Sequence, residues 1–360
     1  MSRTARSTRL ALRLPAPSAR LLSTLLVAVA VAACAGDSPT GVVSDAEAGR
    51  RRVKDPTLPP PPPTTTETPN LLAGATLWVD PSSNARKTAD TWRLTRPADA
   101  TQMDKIAAQA AVRWIGNWNT NVQADVEAAT TMITNAGAMP VFVAYNIPQR
   151  DCGGLSGGNT TTGDAYRSWI TAFANGIGMR RATVILEPDA LAAMDCLSSI
   201  DQQLRLDLLS YAVQTLHAKG GIAVYLDAGH PAWKSASTMA ARLTSAGVAL
   251  AQGFSLNVSN FRTTSDNLAY GQQIASLTGG KHFIVDTGRN GLGPTADSQW
   301  CNPDGRALGE RPSTQTGIAN VDAFLWIKTP GESDGACNGA PSAGAWMPEY
   351  AVGLAQRAAY

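Results

Sequence analysis

Only three histidines stand in 360 residues, His217, His230 and His282, and they are scattered. No Cys-x-x-Cys occurs among the five cysteines. Together these absences speak against a zinc site, and no cofactor or other metal is expected. A charge excess is also missing. The 30 basic and 28 acidic residues leave a formal net charge of +2, which gives no broad pull toward nucleic acid. Many of the arginines sit in residues 1–54, outside the part expected to fold. The apolar run from Leu21 to Ala33 stops short of the roughly 20 residues that a membrane span needs. No Gly-x-Gly-x-x-Gly follows the first apolar run of the folded part, so a dinucleotide fold has no support.

What is present divides the chain in three. Residues 1–33 read as a secretion signal, with Arg3, Arg6, Arg9, Arg13 and Arg20 ahead of the apolar run. The run ends Val31-Ala32-Ala33-Cys34, small residues before a cysteine, as in a bacterial lipobox. Cleavage before Cys34 and acylation of its thiol are expected, giving an exported lipoprotein anchored to the cell envelope through Cys34. Residues 34–70 are a disordered Pro/Thr-rich tether, with Pro59–Pro63 favouring extended, semi-rigid chain. Residues 71–360 are the folded domain, expected to act as a monomer outside the cytoplasm. Setting Cys34 aside leaves Cys152, Cys196, Cys301 and Cys337, which allow three pairings.

From residue 71 short apolar runs alternate with Ala-rich amphipathic stretches. The expected strands are Thr76–Val79, Met139–Tyr145, Thr183–Leu186, Ile222–Leu226, Gly253–Leu256, His282–Val285 and Ala323–Ile327. Helical patterns lie between them over 98–111, 122–136, 165–177, 200–218, 236–246 and 265–277. Strands alternating with helices predict an α/β fold with parallel strands. Strands that are nearly all apolar have both faces covered. A closed or nearly closed barrel fits better than an open sheet.

In such folds chemistry collects at the C-terminal strand ends. Five of the strands each deliver acid there: Asp151, then Glu187 and Asp189, then Asp227, then Asp286, then Glu332 and Asp334. Clustered carboxylates can hold a hard cation. They can also cut a glycosidic bond, where one carboxyl stays protonated while another is ionised. The nine tryptophans favour the second use, because flat indoles stack on pyranose faces and a metal or phosphate site has no need of them.

Six strings now bear on identity: YNIPQRDC at 145–152, LEPDAL at 186–191, YLDAGH at 225–230, DTGRNG at 286–291, WCNP at 300–303 and WIKTPGESDG at 326–335. In content and order they resemble glycoside hydrolase family 6, over roughly residues 71–360. The resemblance implies a distorted seven-stranded parallel (β/α) barrel and inverting hydrolysis of β-1,4-glucan. It makes Asp189 the general acid, Asp151 the aspartate that hydrogen-bonds that acid, and Asp334 the proposed base. It places Tyr145 beneath the distorted sugar, and Lys328 and Glu332 on sugar hydroxyls. Trp78, Trp233 and Trp300 become stacking aromatics, Asp227 an electrostatic support, and His230, Asn257, Asn260 and Arg289 orienting groups. Ser156 matches a serine that helps to hold the attacking water. The implied disulfides are Cys152–Cys196 and Cys301–Cys337, closing loops of 44 and 36 residues. Each would add roughly 4 kcal/mol on a chain-entropy account.

Family members that act on chain ends cover the cleft with two long loops. Here both are short, with Ala343 to Trp346 arriving soon after Asp334. An endoglucanase is therefore expected; the alternatives are a chain-end-acting cellobiohydrolase or a non-catalytic glucan-binding lipoprotein.

Overall fold

Six of the seven apolar runs become parallel strands buried along nearly their whole length. A computed structural model describes residues 70–158 and 162–360. The expected signal, Cys34 and all of the tether but Asn70 lie outside the described residues. The strands are β1 (Arg113–Gly116), β2 (Val141–Tyr145), β3 (Ala182–Leu186), β4 (Ile222–Asp227), β5 (Gly253–Leu256), β6 (His282–Asp286) and β7 (Val321–Leu325). They form one parallel sheet in the order β1 to β7. The sheet curls until its edges meet without a ladder. Val112 N–H donates to the Trp326 carbonyl at 3.0 Å, and Trp114 Nε1 donates to the Ile327 carbonyl at 2.8 Å. The result is the distorted barrel that the sequence predicts.

Alternation along each strand explains the curl. Val141, Val143, Tyr145, Ile185, Tyr225 and Ile284 fill the barrel. Their neighbours Phe142, Val184, Val224, Phe254, Phe283 and Val285 face the surrounding helices. Those helices are α1 (Asn84–Trp92), α2 (Pro97–Ala107), α3 (Val122–Asn135), α4 (Gly163–Ile177), α5 (Ser199–His217), α6 (Ala236–Ser245), α7 (Thr264–Leu277) and α8 (Pro348–Gln356). Helices α3 to α7 each open on a side-chain cap: Asn121, Thr162, Ser198, Ser235 and Thr263 accept a backbone N–H from the first turn. Inside the barrel, Asp322 accepts from the Tyr225 hydroxyl at 2.5 Å and lies 2.7 Å from His282 Nδ1, so its buried carboxylate is not left bare.

The first strand is the main correction. Thr76–Val79 is no strand; only Leu77 makes an isolated bridge, to Met139. The strand is Arg113-Trp114-Ile115-Gly116, which hides from a hydropathy reading because two of its four residues are only half-buried. Helices α1 and α8 were also not expected. They pack with α2 over Leu308 and Trp326 in a separate apolar cluster. The two implied disulfides are formed, Cys152–Cys196 and Cys301–Cys337. Among the described residues, 70–360 hold the seven-stranded sheet and all three apolar clusters, a hydrophobic core of their own.

Sheet closeness is strictest at Gly253, where a Cβ would stand 1.7 Å from the His282 carbonyl oxygen. Gly253→Ala must push β5 from β6 and is expected to cost roughly 3 kcal/mol or more. Gly220→Ala meets nothing within 4 Å and pays only for its φ of +74°, roughly 1–2 kcal/mol. Thermal melts of both variants check the ranking.

Candidate active site

At the C-terminal ends of the strands the barrel opens into a cleft of about 930 Å³. Its wall takes Trp114 and Trp118 from β1 and the loop after it, and Tyr145, Asp151 and Ser156 from β2 and its loop. Asp189 follows β3, and His230 and Trp233 follow β4. Asn260 and Arg262 follow β5, Trp300 follows β6, and Lys328, Glu332 and Asp334 follow β7.

Three carboxylates behind this wall hold the strand ends together. Glu187, Asp227 and Asp286 are each at most 2% exposed. Glu187 accepts N–H bonds from Asn146 and Ile147 at the end of β2. Asp227 accepts from Asp189 N–H at 3.0 Å, Gly229 N–H and the Ser255 hydroxyl. Asp286 accepts from the amides of Ser259, Gly288, Ile327 and Lys328. Burial pushes Glu187 up to about 7 and Asp227 to about 6, with these amides holding both back. Asp286 is raised for the same reason.

Backbone strain collects on the same rim. Glu187, Asp189, Asp151, Cys152 and Asn257 all have positive φ, +50°, +70°, +52°, +49° and +67°. Non-glycine residues in this region cost about 1–3 kcal/mol each and persist where the surroundings over-determine them. Here the Cys152–Cys196 bond and the buried carboxylates do so, and the strain turns Asp151 and Asp189 to the cleft.

Asp189 keeps part of its surface on the cleft but sits in a poorly solvated place. Burial raises its carboxyl well above the usual range, and the charges of Asp227, Asp151 and Asp334 raise it further. Asp334 is gripped at both oxygens by Arg289, at 2.8 and 2.9 Å, and accepts a third bond from Asn302 N–H. Asp151 differs from expectation. Its Oδ2 accepts from Ser156 N–H at 2.8 Å and Ser156 Oγ at 2.9 Å, and no hydrogen bond joins it to Asp189. Ser156 Oγ lies 3.0 Å from the Tyr145 hydroxyl, so the serine bridges Asp151 and Tyr145. Burial raises Tyr145 and Glu332 and lowers Lys328, whose Nζ donates to the Ser333 carbonyl. His230 is pushed down to about 4 by burial and then by Arg262, so its imidazole is neutral above that pH.

The structure brings most of the expected residues together and sets three apart. Trp78 does not line the cleft; it stands in a small separate pocket with Leu77 and Met139, under the Arg113 guanidinium. Asp227 and Asn257 are buried behind the wall, Asn257 bonded to the Asp286 carbonyl and the Arg262 amide. The residues that were missed are Trp114, Trp118, Arg150 and Arg262. The two tryptophans follow from the missed strand, and pairing Arg113–Gly116 with β2 would have found them. Arg150 lay inside a quoted motif; its guanidinium binds the Tyr145 and Ser156 carbonyls and so fixes the loop that carries Asp151. Among the described residues no group of three His, Cys, Asp or Glu side chains could hold a metal ion.

Comparison with known proteins agrees with this geometry. The family described as glycosyl hydrolases family 6 matches residues 72–358. Endoglucanase A of Cellulomonas fimi is 45% identical over 284 residues, 78% of this chain and 61% of that protein. The chain thus spans about three-fifths of that relative's length. Endoglucanase 1 of Streptomyces halstedii is 41% identical over 286 residues, 76% of this chain and 86% of that one. The endoglucanase Cel6 from Mycobacterium tuberculosis, solved with methyl-cellobiosyl-4-deoxy-4-thio-β-D-cellobioside, superposes with a TM-score of 0.77. It is 47% identical, over 80% of this chain and 99% of that one.

A consequence for stability follows from Glu187. Between its ordinary 4.5 and about 7 the folded chain holds this proton and the unfolded chain does not. Stability therefore declines as pH rises through that window, by up to roughly 3 kcal/mol from this group. Glu187→Gln cannot ionise and is expected to flatten the decline. Urea melts from pH 4 to 8 read the difference in slope.

Proposed function

The chain belongs to the glycosyl hydrolases of family 6, and we propose that it hydrolyses internal β-1,4-glucosidic bonds of cellulose or related β-glucans with inversion. The observation that carries this reading is the place of Asp189: a carboxyl whose pKa is raised by burial and by three neighbouring carboxylates, beside a cleft walled with indoles. Trp233 and Trp300 are 37% and 51% exposed, offering flat faces for glucosyl rings. Asp189 gives its proton to the glycosidic oxygen as the bond to the leaving sugar breaks. Water attacks the anomeric carbon from the opposite face, held by the Ser156 hydroxyl. Its proton passes by way of Ser156 toward Asp151. Both oxygens of Asp334 are already engaged by Arg289. Its part is therefore electrostatic: it stabilises the positive charge that develops on the sugar. Tyr145, Lys328 and Glu332 line the same wall and contact the sugar at the point of cleavage.

Internal cleavage is favoured by the short loops and by the likeness to bacterial endoglucanases. Among the described residues the two loops touch where Leu155 packs against Gly335, and Leu155 remains 44% exposed. One leucine is a light closure, and a glucan chain can enter from the side.

The same reading covers the rest of the chain. Residues 1–33 are the export signal, Cys34 carries the lipid anchor, 34–70 is the tether, and the catalytic domain works outside the cytoplasm as a monomer. Two disulfides suit an oxidising compartment.

With carboxymethylcellulose, the domain is expected to drop viscosity quickly while releasing few reducing ends. Asp189→Ala should lower that rate by about 10²–10⁴-fold. Unchanged activity in the variant would remove Asp189 as the acid. Asp227→Asn keeps an acceptor for the Asp189 amide but removes a charge that raises Asp189. Asp189 works protonated, so activity fades as pH rises through its pKa. The alkaline limb of the pH–rate profile is expected to move to lower pH in this variant.

A further inference from the structure

The end of the barrel opposite the cleft has a character of its own. Seven segments lead into the strands there, at 108–112, 136–140, 178–181, 218–221, 246–252, 278–281 and 316–320, and none contains Asp or Glu. Four cations stand in them: Arg180, Arg181, Lys219 and Lys281. None is ion-paired among the described residues; their partners are carbonyls, a hydroxyl and an amide oxygen. Asp322, at the start of β7, is buried and bonded to Tyr225 and His282. At the cleft end the charge is mixed: Asp151, Asp189, Glu332 and Asp334 line the wall with Arg150, Arg262 and Lys328.

This face also shows bare apolar side chains. Met179 is 87% exposed, Leu277 56%, Leu250 47% and Ile318 37%. Helix dipoles favour cations at these helix C-termini, but they ask for no apolar side chains beside them. The loops are contiguous neighbours: Arg180 bonds Thr131, Lys219 bonds Asn175, Lys281 bonds Ala249, and Asn320 bonds Gly280. The described chain enters the domain here. Leu72 is buried in the barrel's interior cluster, and the Leu71 carbonyl accepts from Arg181. The tether that begins at Cys34 therefore joins the domain at this face.

We propose that this face rests on an anionic phospholipid bilayer, with Met179, Leu250, Leu277 and Ile318 dipping among headgroups and Arg180, Arg181, Lys219 and Lys281 meeting their phosphates. Basic and apolar side chains on one face suit such a surface. The cleft then points away from the membrane, toward polymer. The setting rests on the lipid-anchor reading above, but the docking itself does not need the anchor.

The test uses the segment 70–360, which has no anchor. It is sedimented with vesicles of phosphatidylglycerol and, separately, of phosphatidylcholine at low salt. Binding to the anionic vesicles alone, lost in 0.5 M salt, is expected. Arg181→Glu/Lys219→Glu should weaken it by at least about 10-fold, because two cations that face phosphates become anions. Met179→Ser/Leu277→Ser should weaken it too, and it spares every bond of the four cations. Circular dichroism and melting temperature confirm that the variants are folded. Equal sedimentation of the parent and the folded charge variant, or none of the parent, would overturn the proposal. Vesicle binding without glucan hydrolysis would sink the hydrolase reading alone; hydrolysis without vesicle binding would sink only the docking.

Discussion

Glu187, Asp227 and Asp286 are packed where water does not reach them, and each stays there because amides of a neighbouring strand end solvate it instead. A buried carboxylate without such partners would cost several kcal/mol. The arrangement therefore works in two directions. The amides keep the acids in place, and the acids hold the ends of β2, β3, β5 and β7 where pairing in the sheet has stopped. The barrel has a seam between β1 and β7 with no ladder, so its rim depends on these bonds more than a closed barrel would.

The chemistry inherits the same constraint. Asp189 is held by its own amide on Asp227, in a left-handed conformation. Its carboxyl is left with little water and with negative neighbours, so the proton stays on. Asp151, strained in the same way, faces Ser156 instead of the acid. It influences Asp189 through charge and, in the proposed mechanism, handles the proton of water. Arg289 satisfies Asp334 completely enough that a carboxylate can sit 7% exposed in the wall.

Much of this was legible in the sequence because a parallel barrel writes itself plainly. Strands covered on both faces are apolar runs, and acids that follow them fall at one rim. Helices α2 to α7 also followed from their periodicity. What escaped had physical reasons. β1 carries Arg113 and Trp114, half-buried at the seam, so it shows no apolar run, and Trp114 and Trp118 were lost with it. The resemblance makes Trp78 a stacking aromatic, but the segment that carries it makes only one bridge and the indole stands outside the cleft. The Asp151–Ser156 bond depends on left-handed φ at Asp151 and Cys152, which no pattern of residue types announces. The contrast between the barrel's ends, acids among cations at the cleft and cations with bare apolar side chains but no acid in the loops at the other, becomes visible only when the strand ends are known.

The central claim is that the fold itself keeps Asp189 protonated. The direct measurement is a ¹³C-carboxyl NMR titration with labelled aspartate, with the Asp189 signal assigned from its loss in Asp189→Ala. The account predicts a carboxyl still protonated well above 3.8, the ordinary value, and a midpoint that falls when Asp227 is made Asn. A midpoint near 3.8, unmoved by that substitution, would contradict it.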